Sequence, residues 1–501
     1  MKRWDVLVLA VAVAAVVFVL LYTNTWAPYH LDSAGYIMRA VEFWEGNLEP
    51  SWRTGFALIL APFVPLYFLT GSYDVLHVVF VLLTFAGLFV IYNYLRSVSV
   101  PGALFALLLF ISTPAAIYTI NIGKDDVLLA GLAFLSLFLY RKFPLLSGIA
   151  AALCFTAKEP SVFLLAPLLL QIFPDLFSRE RNYRRVFHFF LGVLILFPYV
   201  INQALWILTP QSPTIGKLDP SYLAYVLPHL LSGFGLAGAT LFVFSLISLR
   251  SKESRRDVIP YLLLFLVSVA VLGSNSTTTY RTAIVPLSLL LFPAVVAFRS
   301  LQRYSLPLAA LAVLIALASF SDAFPTIYFR GATNLPAHFS RSLSEYNAGY
   351  VLTMDFCGLY RYYADLNCIT HPVYPEPSDY NAVLSEVSRH IPDGVLLSPD
   401  FFAYADDNFA RWFLSAVELQ PLGSEWFEDY HAVRPYPRLE DTGCTFRRTG
   451  SLKILSVTVD RGDLLCFSDG YPFVERALAF HDRLLYGVRN VPVYRVVRVV
   501  K

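Results

Sequence analysis

Long apolar segments, more than any other feature, limit what this chain can fold into. Residues Val6 to Tyr22 are almost wholly apolar and long enough to cross a bilayer. Similar runs recur as far as Ser321, after which charged residues become frequent. Hydrophobic residues make up 57% of the 501 positions and charged residues only 15%. In a soluble domain about half of the residues are apolar and about a quarter are charged. The pattern excludes a soluble protein and predicts a polytopic α-helical membrane protein.

The apolar runs predict about eleven transmembrane helices, near residues 6–22, 75–95, 102–119, 126–140, 144–157, 160–177, 186–205, 229–249, 258–273, 282–298 and 305–321. Two places are ambiguous. Residues 55–70 are apolar but short and contain Pro62 and Pro65, and the runs on either side of Lys158-Glu159-Pro160 resemble one long span.

The distribution of Lys and Arg decides these ambiguities and sets the orientation. With 144–157 and 160–177 separate and 55–70 interpreted as a helix in the outer interface, fifteen basic residues fall in cytoplasmic segments and six in outer loops before residue 322. Counting 55–70 as a span, or joining 144–157 and 160–177 into one span, would place the downstream basic clusters on the outer side. We therefore expect a multi-pass plasma-membrane protein with a cytoplasmic N-terminus. The first span lacks a small-residue cleavage site before Tyr29 and is expected to be an uncleaved anchor.

The polar segment 322–501 is long enough for one independent core. Runs of Val, Ile and Leu alternate with helical patterns, which predicts an extracytoplasmic α/β domain after the transmembrane domain 1–321 and its first outer loop, 24–74. Four cysteines lie in this domain at spacings that do not resemble a zinc site. An oxidising compartment favours the disulfides Cys357–Cys368 and Cys444–Cys466, with free buried thiols as the alternative.

Polar residues interrupt the outer ends of the predicted spans at a few positions. They are His30, Asp32, Arg53, Lys124, Asp125, Asp126, Lys158, Glu159, Tyr280 and Arg281. A carboxylate can take a proton from an incoming hydroxyl group, and Arg or Lys can bind a phosphate. Together they suit group transfer from a charged lipid at the outer face. No Asp/His cluster requires a metal, so we expect metal-independent chemistry without a cofactor.

Several of these residues also have a purely structural interpretation. Asp32 and Asp126 could cap the helices that follow them. Lys124 could anchor the interface, and Arg281 could extend its charged end to the membrane surface. Glu159 could simply pair with Lys158. Because the flanking helices are short, Lys158 is expected below the membrane surface, where a cation seeks an anion.

Four short motifs follow one another in an informative order. They are Leu31-Asp32-Ser33-Ala34-Gly35-Tyr36 with Arg53-Thr54-Gly55, then Lys124-Asp125-Asp126-Val-Leu-Leu, Thr156-Ala157-Lys158-Glu159-Pro160, and Tyr280-Arg281 followed by Pro286. This series over residues 1–321 resembles the membrane glycosyltransferases of the GT-C fold. It is most similar to their protein O-mannosyltransferase and aminoarabinose-transferase branch.

The resemblance implies an inverting transfer of a sugar from a polyprenyl phosphate (dolichyl or undecaprenyl) to a hydroxyl group of a protein, lipid or glycan. Asp32 matches the catalytic carboxylate, although Ser33 stands where true protein mannosyltransferases have a second acid. Asp125 or Asp126 matches the second acidic site, and Gly131 favours Asp126. Implied phosphate-binding cations are Arg53, Lys158, Arg281 and Lys124. Possible substrate contacts are His30, Tyr36, Glu159 and Tyr280.

Other classes are less compatible with the sequence. An oligosaccharyltransferase-like enzyme would need a metal site and a Trp-Trp-Asp triplet, which the chain lacks. A multi-span transporter of a lipid-linked substrate would be expected to show internal repeats. A scaffold would not need Lys158 at membrane depth. The expected partners are the bilayer, the lipid-linked donor and the acceptor, with no nucleic acid.

Overall fold

The chain forms two compact units, which we describe separately from a computed structural model. The first unit comprises Met1–Trp26 and Arg39–Ile327, and the second comprises Ala27–Met38 and Tyr328–Lys501. The structure describes residues 3–28, 31–46, 53–177, 182–208, 220, 223–250, 252–275, 280–333, 335–353, 356–370, 377–398, 401, 407–426, 445–454, 457–465, 489–491 and 493–501.

Helices make up the first unit. In chain order they are α1 (Arg3–Tyr22), α2 (Leu31–Trp44, which begins in the second unit), α3 (Gly55–Leu60), α4 (Val64–Thr70), α5 (Asp74–Leu95), α6 (Val100–Ile111), α7 (Pro114–Asn121), α8 (Asp126–Leu139), α9 (Pro144–Ala157), α10 (Ser161–Phe177), α11 (Tyr183–Ile195), α12 (Phe197–Leu208), α13 (Leu223–Ser232), α14 (Gly235–Ile247), α15 (Lys252–Gly273), α16 (Ile284–Ser300) and α17 (Ser305–Thr333). Apolar helices of this number make the chain a multi-pass membrane protein.

The structure does not confirm the predicted number of about eleven spans. Within the described residues, five helices are long and apolar enough to cross a membrane, or seven if each of two bent pairs is one span. The run predicted at 102–119 is bent by 75° between α6 and α7, and the run at 186–205 by 80° between α11 and α12. The run at 229–249 is also two helices, α13 and α14.

Local sequence explains the first bend. The hydroxyl group of Thr113 accepts a hydrogen bond from the amide of Ala116, and Pro114 occupies the first turn of α7. Thr is a favoured N-cap and Pro is favoured at the first helical position, so a new helix starts here in a new direction. Apolar composition alone does not reveal such an interruption. Likewise, Pro62 and Pro65 divide the 55–70 segment into α3, a 3-10 turn and α4.

Small residues let α5, α8 and α9 pack closely. A Cβ atom placed on Gly131 of α8 would lie 2.5 Å from the Cα of Gly87 on α5. Ser136 and Ser147 join α8 to α9 by reciprocal hydrogen bonds from each hydroxyl to the other's carbonyl, at 2.9 and 2.8 Å. Since α10 also packs on α8 and α9, the start of α8, the end of α9 and the start of α10 lie together.

The described residues of the second unit form two sheets. Its strands are β1 (Tyr350–Thr353), β2 (Asn367–Thr370), β3 (Val395–Leu397), β4 (Leu419–Trp426), β5 (Thr445–Ile454), β6 (Val457–Leu465), β7 (Arg489–Val491) and β8 (Val493–Val499). One sheet has the order β2-β1-β3-β8-β4 and the other β5-β6-β7. Strand β1 pairs parallel with β2 and β3, whereas β8 pairs antiparallel with β3 and β4.

Helices α18 (Leu335–Ser344), α19 (Cys357–Ala364), α20 (Pro377–His390) and α21 (Asp407–Ala416) accompany the sheets of the second unit. Its apolar core includes Phe339, Val351, Leu396 and Phe413, and it takes in Ala34 from the first turns of α2. A disulfide joins Cys357 of α19 to Cys368 of β2. Cys444 and Cys466, the other predicted pair, lie outside the described residues.

Candidate functional site: a buried cation–carboxylate cluster

Lys158 joins the two acidic residues at the start of α8. Its Nζ atom lies 2.5 Å from Oδ1 of Asp126 and 3.2 Å from Oδ2 of Asp125. The side chain of Lys158 is only 7% exposed, and those of the two aspartates are 1% exposed or less. The buried Lys158, which follows the short apolar helix α9, therefore has two anions within ion-pair distance. A lysine away from water needs such partners.

A second cation approaches the same carboxylates from the loop itself. Nζ of Lys124 lies 3.4 Å from Oδ1 of Asp125, and both side chains are fully buried. A lysine anchoring the membrane surface would extend its charged end to water, so that interpretation of Lys124 is wrong. Asp126 also lies inside the first turn of α8 rather than at its N-cap. The N-cap interpretation of Asp126 is therefore wrong too.

Glu159 binds Arg53 instead of its neighbour Lys158. Nε of Arg53 lies 3.2 Å from both carboxylate oxygens of Glu159, and the terminal nitrogen of Arg53 lies 3.1 Å from Oε2. The backbone of Lys158 is extended, with φ −164° and ψ 141°. Glu159 begins the turn that leads into α10, and the two adjacent side chains reach different partners.

Close packing places Arg53 beside this loop. A Cβ atom on Gly55 would lie 2.5 Å from the backbone N of Ala157 and 2.5 Å from the backbone O of Leu153, so only glycine lets the start of α3 approach the end of α9 this closely. Arg53 itself has a positive φ of 58°, an uncommon conformation for a residue with a side chain. Its backbone N–H donates to Oε1 of Gln203 on α12 at 2.8 Å.

Arg281 completes the electrostatic surroundings. It lies in the 3-10 turn Tyr280–Ala283, which packs on α7, and it acts electrostatically on both Lys124 and Asp125. We call the whole group the cation–carboxylate cluster: Arg53, Lys124, Asp125, Asp126, Lys158, Glu159 and Arg281. Four cations and three carboxylates give it a formal charge of 4 − 3 = +1.

The remaining predicted residues belong to the second unit or lie outside the described residues. Asp32 is half-buried in the first turn of α2, and Tyr36, also on α2, is buried; both belong to the second unit and are described apart from the cluster. Because α2 begins at Leu31, Asp32 lies within the helix rather than capping it. His30 and the side chain of Tyr280 lie outside the described residues.

Sequence reasoning overlooked two residues near the cluster. Gln203 is fully buried and binds the backbone of Arg53. His77 of α5 is fully buried next to Gly123, in the loop that carries Lys124. Gln203 is a polar residue within the apolar sequence FPYVINQALWIL, and such an interruption is a signal of function within a membrane protein.

The cluster can stabilise an anion. Because Arg53 and the two lysines are already aligned by Asp125, Asp126 and Glu159, they would need little rearrangement to bind one, which favours electrostatic stabilisation of developing charge. In the described part of the chain, no group of three or more His, Cys, Asp or Glu side chains could bind a metal ion.

Comparisons with known proteins identify the class. The model of Glycosyltransferase family 87 matches residues 54–214, which include most of the cluster. The crystal structure of ArnT from Cupriavidus metallidurans in the apo state superposes with a TM-score of 0.54 at 14% identity, covering 84% of this chain and 96% of that chain. Its structure bound to undecaprenyl phosphate has a TM-score of 0.55 at 14% identity, with 85% and 97% covered. No curated protein sequence matches the chain.

At this identity, the similarity to ArnT shows the fold. Together with the family match, it makes the chain a membrane glycosyltransferase of the GT-C fold, as the four sequence motifs predicted.

Proposed function

We propose that this glycosyltransferase moves a sugar from a polyprenyl phosphate to a hydroxyl group of a protein, lipid or glycan at the outer face of the membrane. The cation–carboxylate cluster carries the proposal. A sugar linked to a lipid phosphate is a phosphodiester with one negative charge, which complements the cluster's formal charge of +1. The solved structure of ArnT bound to undecaprenyl phosphate, which has the same fold, supports a donor of this class.

The proposed transfer is a single inverting displacement. The acceptor oxygen attacks the anomeric carbon of the sugar, the bond from that carbon to the phosphate oxygen breaks, and its electron pair stays on the phosphate. The departing lipid phosphate therefore gains a negative charge, which Arg53, Lys158 and Lys124 would stabilise, with Arg281 adding positive charge. This scheme needs no metal or cofactor.

Asp32 is the proposed general base that takes the acceptor's proton. Asp125 and Asp126 are less suited to that role, because Lys158 binds both and Lys124 binds Asp125. A cation beside a carboxylate favours its ionised form and weakens it as a base. In the proposed scheme these two aspartates orient the lysines instead. Tyr36 of α2, His30 and Tyr280 are proposed substrate contacts. Glu159 is proposed to act on the substrate through Arg53.

Asp32→Asn tests the assignment of the base. Asparagine keeps the size and hydrogen-bonding capacity of the side chain but cannot accept the proton, so transfer from a polyprenyl-phosphate sugar should fall by about 100-fold or more. Binding of the donor lipid should remain within about threefold, since the base does not hold the phosphate. Turnover close to wild type would exclude Asp32 as the base.

We also propose that the N-terminus is cytoplasmic and that the second unit lies outside the cell. The fifteen-to-six distribution of basic residues supports this orientation. Cysteines introduced at the exposed positions Ser300 and Ser388 should differ in their access to a membrane-impermeant thiol reagent added outside the cell. Ser388→Cys should label in intact cells and Ser300→Cys only after permeabilisation, with wild type as background. Labelling of both from the same side would refute the orientation.

A further inference from the structure

Gln203 is attached to the cluster by one end of its amide group only. It is fully buried on α12, and its Oε1 atom accepts the backbone N–H of Arg53 at 2.8 Å. Its Nε2 atom is buried and has no hydrogen-bond partner among the described residues. A primary amide has two N–H donors, so the unused end of this side chain can donate to a further group.

An unsatisfied buried donor is unusual enough to require an explanation. Such a group loses its hydrogen bonds to water and costs about 1–3 kcal/mol. Most buried polar groups are paired, and exceptions often mark a site for a group absent from the protein chain itself. At Gln203 the paired end of the same amide holds the backbone of a cation, Arg53, that has an uncommon positive φ of 58°.

We propose that Gln203 binds the donor directly, with its Nε2 donating a hydrogen bond to an oxygen of the lipid-linked phosphate. This inference rests on the proposed function and adds a neutral ligand to its anion site. A neutral donor contributes a hydrogen bond without changing the formal charge of +1, which already matches a phosphodiester. A phosphate oxygen is preferred to a sugar hydroxyl because the other end of the same amide holds the backbone of Arg53, a proposed phosphate-binding cation.

A competing explanation is that Gln203 only positions Arg53. Two substitutions of similar size separate the two roles. Gln203→Glu keeps an oxygen that can accept from the backbone of Arg53 but replaces the amide donor. Gln203→Met removes both the acceptor and the donor. Gln171→Glu is a matched control, because Gln171 lies on α10 and interacts with Tyr94 rather than with the cluster.

The experiment measures binding of undecaprenyl phosphate and of dolichyl phosphate to purified full-length protein in detergent. We expect Gln203→Met to weaken binding of the preferred lipid by about tenfold, the size expected for one hydrogen bond to a charged group. Gln203→Glu should weaken it by at least as much, because its carboxylate also repels the phosphate. Gln171→Glu should bind it as wild type does. Thermal unfolding of each variant confirms that it is folded. If Gln203→Met does not fold, the comparison of lipid binding between Gln203→Glu and Gln171→Glu tests the inference.

Each alternative result has a distinct meaning. If Gln203→Met binds weakly and Gln203→Glu binds as wild type, Gln203 acts only by positioning Arg53 and the inference is overturned. Wild-type affinity in both variants overturns it as well, and leaves the proposed function intact. If only Gln203→Glu binds weakly, its added negative charge repels the phosphate and no hydrogen bond from Gln203 is needed, which also overturns the inference. A wild-type protein that binds neither lipid phosphate overturns the proposed function together with this inference.

Discussion

Two buried groups of charged residues in the first unit differ in how completely their polar atoms are paired. The first is the cation–carboxylate cluster. The second, which we call the Asp175 group, consists of Asp175, Tyr140 and Arg185. The hydroxyl group of Tyr140 donates to Oδ2 of Asp175 at 2.8 Å, and Arg185 contacts both carboxylate oxygens at 3.0 Å.

The Asp175 group is balanced and fully bonded. One cation faces one carboxylate, and all its side-chain polar atoms are either paired or open to solvent. By contrast, Oδ2 of Asp126 in the cluster and Nε2 of Gln203 beside it are buried without hydrogen-bond partners among the described residues. Complete pairing is what a structural ion pair needs. The unused Nε2 of Gln203 is the group that we propose for donor binding.

The two groups also lie at opposite ends of the same helices. The cluster includes Asp126 at the start of α8 and follows the end of α9, whereas Tyr140 directly follows α8 and Asp175 lies near the end of α10. Helix α8 has 14 residues, which corresponds to about 21 Å. Substitutions in one group can therefore be compared with substitutions in the other without direct interference.

Lys158→Met should have the largest effect. It leaves two buried carboxylates without a shared cation, which costs about 3–5 kcal/mol of stability. Because a charge that stabilises the leaving phosphate is lost, transfer per folded molecule should fall by about 100-fold. The double variant Lys158→Met/Asp126→Asn should recover part of the stability but not the activity. Thermal unfolding and turnover assays measure both quantities. Normal turnover of folded Lys158→Met would exclude Lys158 as a residue that stabilises the leaving phosphate.

Asp175→Asn should affect stability alone. The substitution replaces a charge-assisted contact to Arg185 with a neutral one, at a cost of about 1–3 kcal/mol. Turnover per folded molecule should match wild type, since this group contributes nothing to the proposed chemistry. The same two assays check the result. A turnover reduced in proportion to that of Lys158→Met would abolish the distinction between the two groups.

Arg53→Lys should have the smallest effect and a specific one. Lysine keeps the charge but cannot contact Glu159 through two nitrogen atoms, so the KM for the donor should rise by about tenfold while kcat changes little. Arg185→Lys is the matched control and should leave the KM unchanged. Steady-state kinetics with varied donor concentration separate the two parameters. An equal rise in KM for both variants would show that the effect comes from general destabilisation.

Composition and motif order predicted the class of protein, because apolar runs and a few polar interruptions are local properties of a sequence. The places where spans bend were not predictable in this way, since Ser112, Thr113 and Pro114 form a short break inside an otherwise apolar run. Lys124, Asp125, Asp126 and Lys158 were identified as candidates from their positions at span ends.

Their partners were harder to predict. The pairing of Glu159 with Arg53 depends on the extended backbone at Lys158 and on the close approach of Gly55 to α9. The contact of Gln203 with Arg53 joins residues 150 positions apart. Both contacts are set by helix packing, for which a single sequence contains no direct signal.

The extended backbone at Lys158 also constrains how proteins of this kind can diverge. Lys158 and Glu159 reach separate partners from one short connection between α9 and α10, so an insertion or deletion of one residue there would displace both contacts. Natural variants should therefore keep the length of this turn even where its chemistry drifts. A change of sign at either position would require a matching change in a distant segment, at residue 53 or at 125 and 126. We therefore expect residues 158 and 159 to covary with residues 53, 125 and 126.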